Sequence, residues 1–479
     1  MTLVSNAKWN TLSQIFKVIA QLVNIVYLAK IIPPSDYGLM AMAVVFINFG
    51  MLLRDLGTSA VLIQKKELSD SLVNTVFWLN TFMGIGLAII TSLLSPLISE
   101  IYHQKELVTI ILMLSIIFPL SSCAASHLAL LERNSEFKKI STIEITSSLC
   151  SLIIAVIMAT LGFGVYSLIV QAIVLNMMSA IQFWLASPWR PSFTSYIKLS
   201  DIKNIFGFSA NLSFFNFVNY FSRNADSFII GKFMSATILG SYSLAYRIML
   251  FPLQSLTFVA TRSLYPVLSK NQDDNEVIEK TYLACTFVIL LITAPLMSGL
   301  AYYSKPFIFL VFGEQWYLTA GILVWLAPTA IIQSVLSLSG AVFMAKGRTD
   351  ILMRLGIYSA LLQAGAFLIG VNYSINTFAM CYLVANIINF FSVMFFLLKF
   401  INSSFVRFFK NIYPILLSTI SMLFILKIIS INYLQSAEVK NAFTLVVLST
   451  IGAFVYFFVL IATSKYVRNI VYTHTFRRK

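Results

Sequence analysis

Charge is scarce in this chain. Lys, Arg, Asp and Glu make up only 11% of the 479 residues, against 59% hydrophobic residues, and the mean hydropathy is +0.86. One soluble core could not bury that much apolar surface. Motifs of soluble catalysis are missing as well. There is no GxxxxGK[ST] phosphate loop, no GxSxG elbow, no HExxH pair, and no polar stretch long enough for a nucleotide-binding domain. These absences argue against an enzyme and against an ATP-driven pump. The four cysteines, Cys123, Cys150, Cys285 and Cys381, lie scattered in hydrophobic segments with no CxxC spacing, so they are expected to be buried thiols, with no metal and no cofactor. His103 and His127 lack paired carboxylates in their segments, which favours structural roles. No cleavable targeting signal is expected: the first apolar run is longer than a typical signal core and lacks a small-residue cleavage site after it, so it is read as the first membrane helix.

What remains is a polytopic all-α membrane protein. A span needs about 20 apolar residues. Such runs occur at about 10–31, 38–63, 72–99, 107–131, 140–161 and 164–187, and again at 204–231, 237–265, 277–303, 318–344, 351–370, 375–400, 411–430 and 442–464. That makes about 14 helices.

Basic residues test the count, because Lys and Arg in short loops favour the cytoplasm. With the amino terminus inside, the inner segments hold Lys8, Lys65, Lys66, Arg133, Lys138, Lys139, Arg190, Lys198, Lys203, Lys270, Lys280, Lys346, Arg348, Arg354, Lys399, Arg407, Lys410, Lys465, Arg468, Arg477, Arg478 and Lys479. The outer segments hold Lys30, Lys105, Lys232, Lys305, Lys427 and Lys440. This bias of 22 to 6 among 33 basic residues requires an even helix number with both termini cytoplasmic. It accounts for most of the net charge of +15 through anionic membrane lipids, without nucleic acid.

The chain also repeats itself. A shift of 202 residues lays 7–43 over 209–245 without a gap, placing Lys30 on Lys232, Gly38 on Gly240 and Ala43 on Ala245. Polar positions match too: Gln14 meets Asn216, Gln21 meets Arg223, and Asn24 meets Asp226. Positions 14, 21 and 24 share one helical face, so each half opens with a helix carrying a polar stripe. Six helices per half is an even number, which makes the repeats parallel. The expected organisation is an N-terminal lobe (1–200), a C-terminal lobe (201–403), and two extra helices with a basic tail (404–479), the two six-helix lobes flanking a central cleft.

Arg223 and Asp226 stand within an otherwise apolar or weakly polar stretch. Ionised groups at membrane depth cost roughly 2.5 to 3.5 kcal/mol each on insertion scales and normally face protein or a wet cavity. The candidate cleft lining is Lys17, Arg54, Asp55, Arg223, Asp226, Arg247 and Arg262, with five positive and two negative groups. Excess fixed positive charge attracts an anion, and Arg can grip phosphate oxygens with a bidentate fork. Asn10, Gln14, Gln21, Asn24, Asn211, Asn216 and Asn219 offer donors and acceptors suited to sugar hydroxyls. Tyr27, Tyr220, Tyr242 and Tyr246 could stack on sugar faces or simply pack. Other readings stay open: Arg223 and Asp226 could neutralise each other at i, i+3, and Arg262 could snorkel to headgroups. Pro119, Pro252, Pro295 and Pro328 fall within helices, where breaks suit a protein that rocks.

Several segments resemble one family. PPSDYGLMAMAVVF (33–46), RDLGTSAVLIQKKELSDSLVNTVFWLN (54–80), RNADSFIIGKFMSATILGSYSLAYRI (223–248) and LYPVLSKNQDD (264–274) are similar to the signature stretches of polysaccharide-transport flippases, in the multidrug, oligosaccharidyl-lipid and polysaccharide exporter superfamily. The resemblance implies a bacterial inner-membrane protein that moves a lipid-pyrophosphate-linked sugar repeat unit between leaflets, for O-antigen, capsule or related exopolysaccharide. It also implies two six-helix lobes with two extra helices. The Arg54 and RNAD segments would be cavity and gate candidates. H+ or Na+, with Asp55 and Asp226 as coupling candidates, and a polysaccharide polymerase are the expected partners besides the lipid-linked oligosaccharide. A cation-coupled drug antiporter would call for an interior dominated by carboxylates, and a membrane-embedded glycan polymerase or ligase for a large outer loop; neither feature is present.

Overall fold

The computed structural model describes residue 16 and residues 20–54, 61–63, 65, 68–193, 220, 223–433, 441–465 and 467–469. Among these residues every regular element is helical, and eleven helices are long and apolar enough to cross a membrane. They correspond to the second to sixth and the ninth to fourteenth expected spans. The architecture is thus an all-α polytopic membrane protein. The first expected span is described as α1 (Ala20–Ile31), the seventh as α8 (residues 223–233), and the eighth as α9 (Ala236–Lys270).

The remaining elements are α2 (Pro34–Arg54), α3 (Asp70–Tyr102), α4 (Leu107–Ser115), α5 (Ile117–Arg133), α6 (Phe137–Thr160), α7 (Val165–Ala186), α10 (Asn275–Tyr302), α11 (Ser304–Val311), α12 (Tyr317–Ala345), α13 (Thr349–Gly370), α14 (Ile375–Phe400), α15 (Phe405–Tyr433) and α16 (Ala442–Thr463). Polar caps set several starts by accepting free first-turn N–H groups. Ser69 accepts from Leu72 N at 3.3 Å, Asp274 from Glu276 N at 3.0 Å, and Ser374 from Thr377 N at 3.2 Å.

Prolines leave helical carbonyls without their donor four residues on, and a membrane gives no water in compensation. Side chains take over. Pro96 frees the Ser92 carbonyl, and the Ser95 hydroxyl donates to it at 2.7 Å. Pro295 frees the Leu291 carbonyl, which receives the Tyr456 hydroxyl at 3.0 Å. Pro119 would leave Ser115 similarly bare, and the expected fourth span breaks there into α4 and α5.

The chain divides into two compact units, Met1–Gly240 and Ser241–Lys479. Within the first, Leu72, Val73, Val76 and Ala129 form one core cluster and Leu131, Ile140, Ile143 and Phe183 another. The end of the polar-stripe helix of the second repeat packs with this unit. Phe228 meets Tyr102 edge-on at 5.8 Å, and the Tyr220 hydroxyl donates to the Val45 carbonyl. In the second unit a single large cluster runs from Leu264 through Tyr282, Val342 and Leu397 to Leu460.

One register relation from the sequence is visible in the helix starts. Helix α2 begins at Pro34 and α9 at Ala236, positions the 202-residue shift makes equivalent. Each follows its stripe helix after two residues, 32–33 and 234–235.

Candidate polar path

Helix α1 presents Gln21 exposed and Asn24 half-buried. The Asn24 amide nitrogen donates to Gln171 Oε1 on α7 at a long 3.5 Å, while its Oδ1 is enclosed with no donor among the described residues. The stripe therefore continues across a helix pair, with Gln171 as the amide that α7 brings to Asn24. Gln14, Lys17, Asp55 and Asn216 lie outside the described residues, as do Asn10, Asn211 and Asn219.

Arg223 opens the described part of α8 and is exposed, whereas Asp226 is 5% exposed. Among the described residues the two are not ion-paired with each other. Asp226 Oδ1 accepts instead from the Ser227 main-chain N–H at 2.6 Å. One turn of helix thus separates an outward cation from an inward carboxylate, and mutual neutralisation does not describe them. Arg54 closes α2 half-buried, and Arg247 is exposed on α9; both take part in polar or electrostatic contacts. The Arg262 backbone belongs to α9, and its side chain falls outside the described set. Arg54, Arg223 and Asp226 belong to the first unit, Arg247 and Arg262 to the second.

The tyrosines divide. Tyr242 is 1% exposed, stacks with Tyr246 at 5.9 Å and meets Phe378 at 90°, so it packs the second unit. Tyr220 anchors to Val45. Tyr27 is 42% exposed and stays available. An open cleft of about 410 Å³ near Lys138 and Lys139 is remote from all these residues in sequence, and Lys139 is already paired with Glu136 there.

Two polar groupings escaped the sequence reading, and the surroundings of a third, His127, were not part of it. His127 is fully buried in the first unit between the rings of Phe77, Trp184 and Trp189, at centroid distances of 6.1, 4.8 and 5.5 Å. Neither ring nitrogen has a partner among the described residues. Arg133, read from sequence as one loop charge among many, donates to the main-chain oxygens of Leu62 at 2.8 Å and Lys65 at 2.6 Å. It thereby pins the chain that follows Arg54 and Asp55. In the second unit Gln333 on α12 donates to the Tyr382 hydroxyl at 2.7 Å and to Asn386 Oδ1 at 3.2 Å on α14. Asn386 and Asn389, three apart in an apolar helix, were the available signal for that layer.

The geometry offers amides and cations along membrane helices, with the buried carboxylate of Asp226 on α8. Similar chains exist. The teichuronic acid biosynthesis protein of Bacillus subtilis (strain 168) is 28% identical over 474 residues, covering 96% of this chain and 95% of that one. A lipopolysaccharide biosynthesis protein of Escherichia coli (strain K12) is 29% identical over 369 residues, 77% of this chain and 75% of its own. Among solved structures, the lipid II flippase in an inward closed conformation superposes with a TM-score of 0.73, covering 96% of this chain and 99% of that one at 18% identity; the likeness is one of fold. With residues 27–321 matching the model of the polysaccharide biosynthesis protein family, the chain belongs to that family.

Proposed function

We propose that this protein is a flippase that carries a polyprenyl-pyrophosphate-linked oligosaccharide repeat unit from the cytoplasmic to the periplasmic leaflet, for surface polysaccharide assembly. The carrying observation is the near full-length similarity to a teichuronic acid biosynthesis protein, supported by a fold shared with a lipid II flippase. It is a transporter and not a catalyst.

In this reading the protein spans the bacterial inner membrane with both termini in the cytoplasm. Lys17, Arg54, Arg223, Arg247 and Arg262 line the path of the pyrophosphate. Gln14, Gln21, Asn24 and Asn216 meet sugar hydroxyls, and the enclosed Oδ1 of Asn24, which has no donor among the described residues, supports a polar guest there, since buried acceptors are normally satisfied. The polyprenyl tail stays in lipid while the six-helix repeats rock and exchange access. Drive comes from H+ or Na+, from the membrane potential, or from consumption of the unit by a downstream polymerase. Asp226, buried on α8, and Asp55 are the two carboxylates proposed for ion coupling.

A deletion strain tests the reading through its lipid-linked intermediates, identified by mass spectrometry. Accumulation of a sugar-loaded polyprenyl pyrophosphate, relieved by the intact gene, is the expected result. Arg223→Ala should then restore surface polysaccharide at least tenfold less well than wild type, and Arg223→Lys in between. Normal polysaccharide from both inserted variants would remove Arg223 from the pyrophosphate path.

A further inference from the structure

The cleft of about 410 Å³ in the first unit is made of none of the residues proposed for the transported unit. It opens at one end of the α6–α7 hairpin and is lined by Glu136, Lys138, Lys139, Thr142, Ile143 and Ala186, all within Met1–Gly240. Lys138, Lys139 and Thr142 are exposed. Glu136 is tied to Lys139, so two cations and one anion leave the lining with one net positive charge.

The floor of the cleft is built one turn deeper on both helices. Thr146 follows Thr142 by four residues, and Gln182 precedes Ala186 by four, the spacing that keeps each pair on one helical face. The Thr146 hydroxyl donates to Gln182 Oε1 at 2.7 Å, and Gln182 Nε2 donates to the Ser147 hydroxyl at 3.1 Å. These bonds close the seam between α6 and α7 beneath the cleft. The Thr142 hydroxyl donates back to the Lys138 carbonyl at 2.9 Å and so sits between the cations and the floor.

Beyond the floor the same face of α6 turns apolar. Leu149, Ile153 and Ile157 are 45, 50 and 52% exposed and fall within about 80° of one another around the helix. Their stripe is about 12 Å long, and Thr142 lies about 6 Å beyond Lys138 along the axis. Cation, hydroxyl and apolar stripe follow one another in the order headgroup, glycerol and acyl chain of a phospholipid standing in its leaflet.

Lysines at a helix end also snorkel to whatever headgroups pass, and an apolar face needs only bulk lipid. Bulk contact does not call for a walled cleft with a hydrogen-bonded floor, however, and charge selects among occupants. A headgroup with one negative charge matches the lining. A pyrophosphate would overfill it, and a zwitterionic headgroup would bring a further cation beside two lysines.

We infer that the cleft is a specific site for an anionic phospholipid, whose phosphate meets Lys138 and Lys139 and whose chain lies along Leu149, Ile153 and Ile157. Only the leaflet, the cytoplasmic one, rests on the orientation in the flippase reading; the binding rests on the hairpin alone.

The test uses full-length protein with Cys123, Cys150, Cys285 and Cys381 replaced and one bimane-labelled thiol, introduced as Leu149→Cys beside the cleft or as Leu93→Cys on α3, where the native side chain is 75% exposed. The protein is reconstituted in vesicles of phosphatidylcholine and phosphatidylglycerol, with bromine on the chains of one lipid or the other to quench the probe on contact. At Leu149→Cys, brominated phosphatidylglycerol should quench about fivefold more effectively than its share of the lipid, and at Leu93→Cys in proportion to its share. Lys138→Gln with Lys139→Gln should remove the preference, the two Arg substitutions should keep it, and Glu136→Gln should strengthen it. Proportional quenching at Leu149→Cys, or a preference that survives loss of both lysines, overturns the site. Abolition of the preference by inorganic phosphate marks a site for the free anion and overturns the lipid. None of these readouts needs transport, so normal polysaccharide in the deletion strain would remove the flippase reading and leave the site standing.

Discussion

The Tyr456 hydroxyl donates at 3.0 Å to the Leu291 carbonyl, the acceptor that Pro295 leaves without its helical donor. Helix α16, the last span, is thus joined to α10 at a fault in the ladder of α10, and Tyr456 is 1% exposed there. The bond is conditional on the proline. Tyr456→Phe should lower stability by about 1 kcal/mol, the usual net value of such a bond. Pro295→Ala returns an N–H to Leu291, so Tyr456→Phe should cost close to nothing in that background. Thermal unfolding of the four proteins of the cycle in detergent measures the difference; equal costs in both backgrounds would sever the link between proline and tyrosine.

His127 makes ring contacts and, among the described residues, no hydrogen bonds. Its role in the first unit is therefore that of an aromatic plate between Phe77, Trp184 and Trp189. His127→Phe keeps a ring and removes two polar atoms, and replacing an unsatisfied polar group by an apolar one of similar shape is near neutral or stabilising. His127→Ala opens a cavity and should cost about 3 kcal/mol. Melting temperatures of the two variants check this. A Phe variant as unstable as the Ala variant would show that the nitrogens matter more than the ring.

These residues show where a sequence can be read and where it cannot. Hydropathy reports along the chain, so eleven of the expected spans were legible in order, and the repeat register placed Gly38 on Gly240. Contacts across helices left no such trace. Gln171 lies 147 residues from Asn24, and an amide in a membrane helix does not announce its mate. Arg133 counted correctly as a basic residue near a helix end, yet its guanidinium is committed to the carbonyls of Leu62 and Lys65, which loop statistics cannot distinguish from a headgroup contact. Spacing of Arg223 and Asp226 fitted a neutralising pair, but spacing does not say that one faces out while the other is buried.

Asn24 provides a test of the sign of the substrate. Its side chain is half-buried on the stripe face of α1, near enough to the expected path for a new charge to be felt. Asn24→Asp and Asn24→Leu alter size little, but only the first adds a negative charge. Repulsion of a pyrophosphate roughly 10 Å away, at an effective dielectric of about 20, is worth about 1 to 2 kcal/mol per charge, or around tenfold in transport. Complementation of surface polysaccharide should therefore fall further for Asp than for Leu. A cationic cargo would invert that order.

Helix number decides on which faces the two stripes begin, and four exposed lysines can settle it. Lys105 and Lys305 stand at helix ends expected outside, Lys270 and Lys399 at ends expected inside, and all four are exposed. Six expected spans separate Lys105 from Lys305, including the seventh, which is described only from residue 223 onward. In protein freed of its four native cysteines, Lys105→Cys and Lys305→Cys should react with an impermeant maleimide in intact spheroplasts. Lys270→Cys and Lys399→Cys should react only after permeabilisation. If the seventh segment did not cross, Lys105 would still label from outside while Lys270, Lys305 and Lys399 all exchanged sides. If the first did not cross, all four would exchange. The 22 to 6 distribution of basic residues opposes both outcomes, since either would place most of the positive charge of at least half the chain on the outer face, against the inward preference of Lys and Arg in short loops.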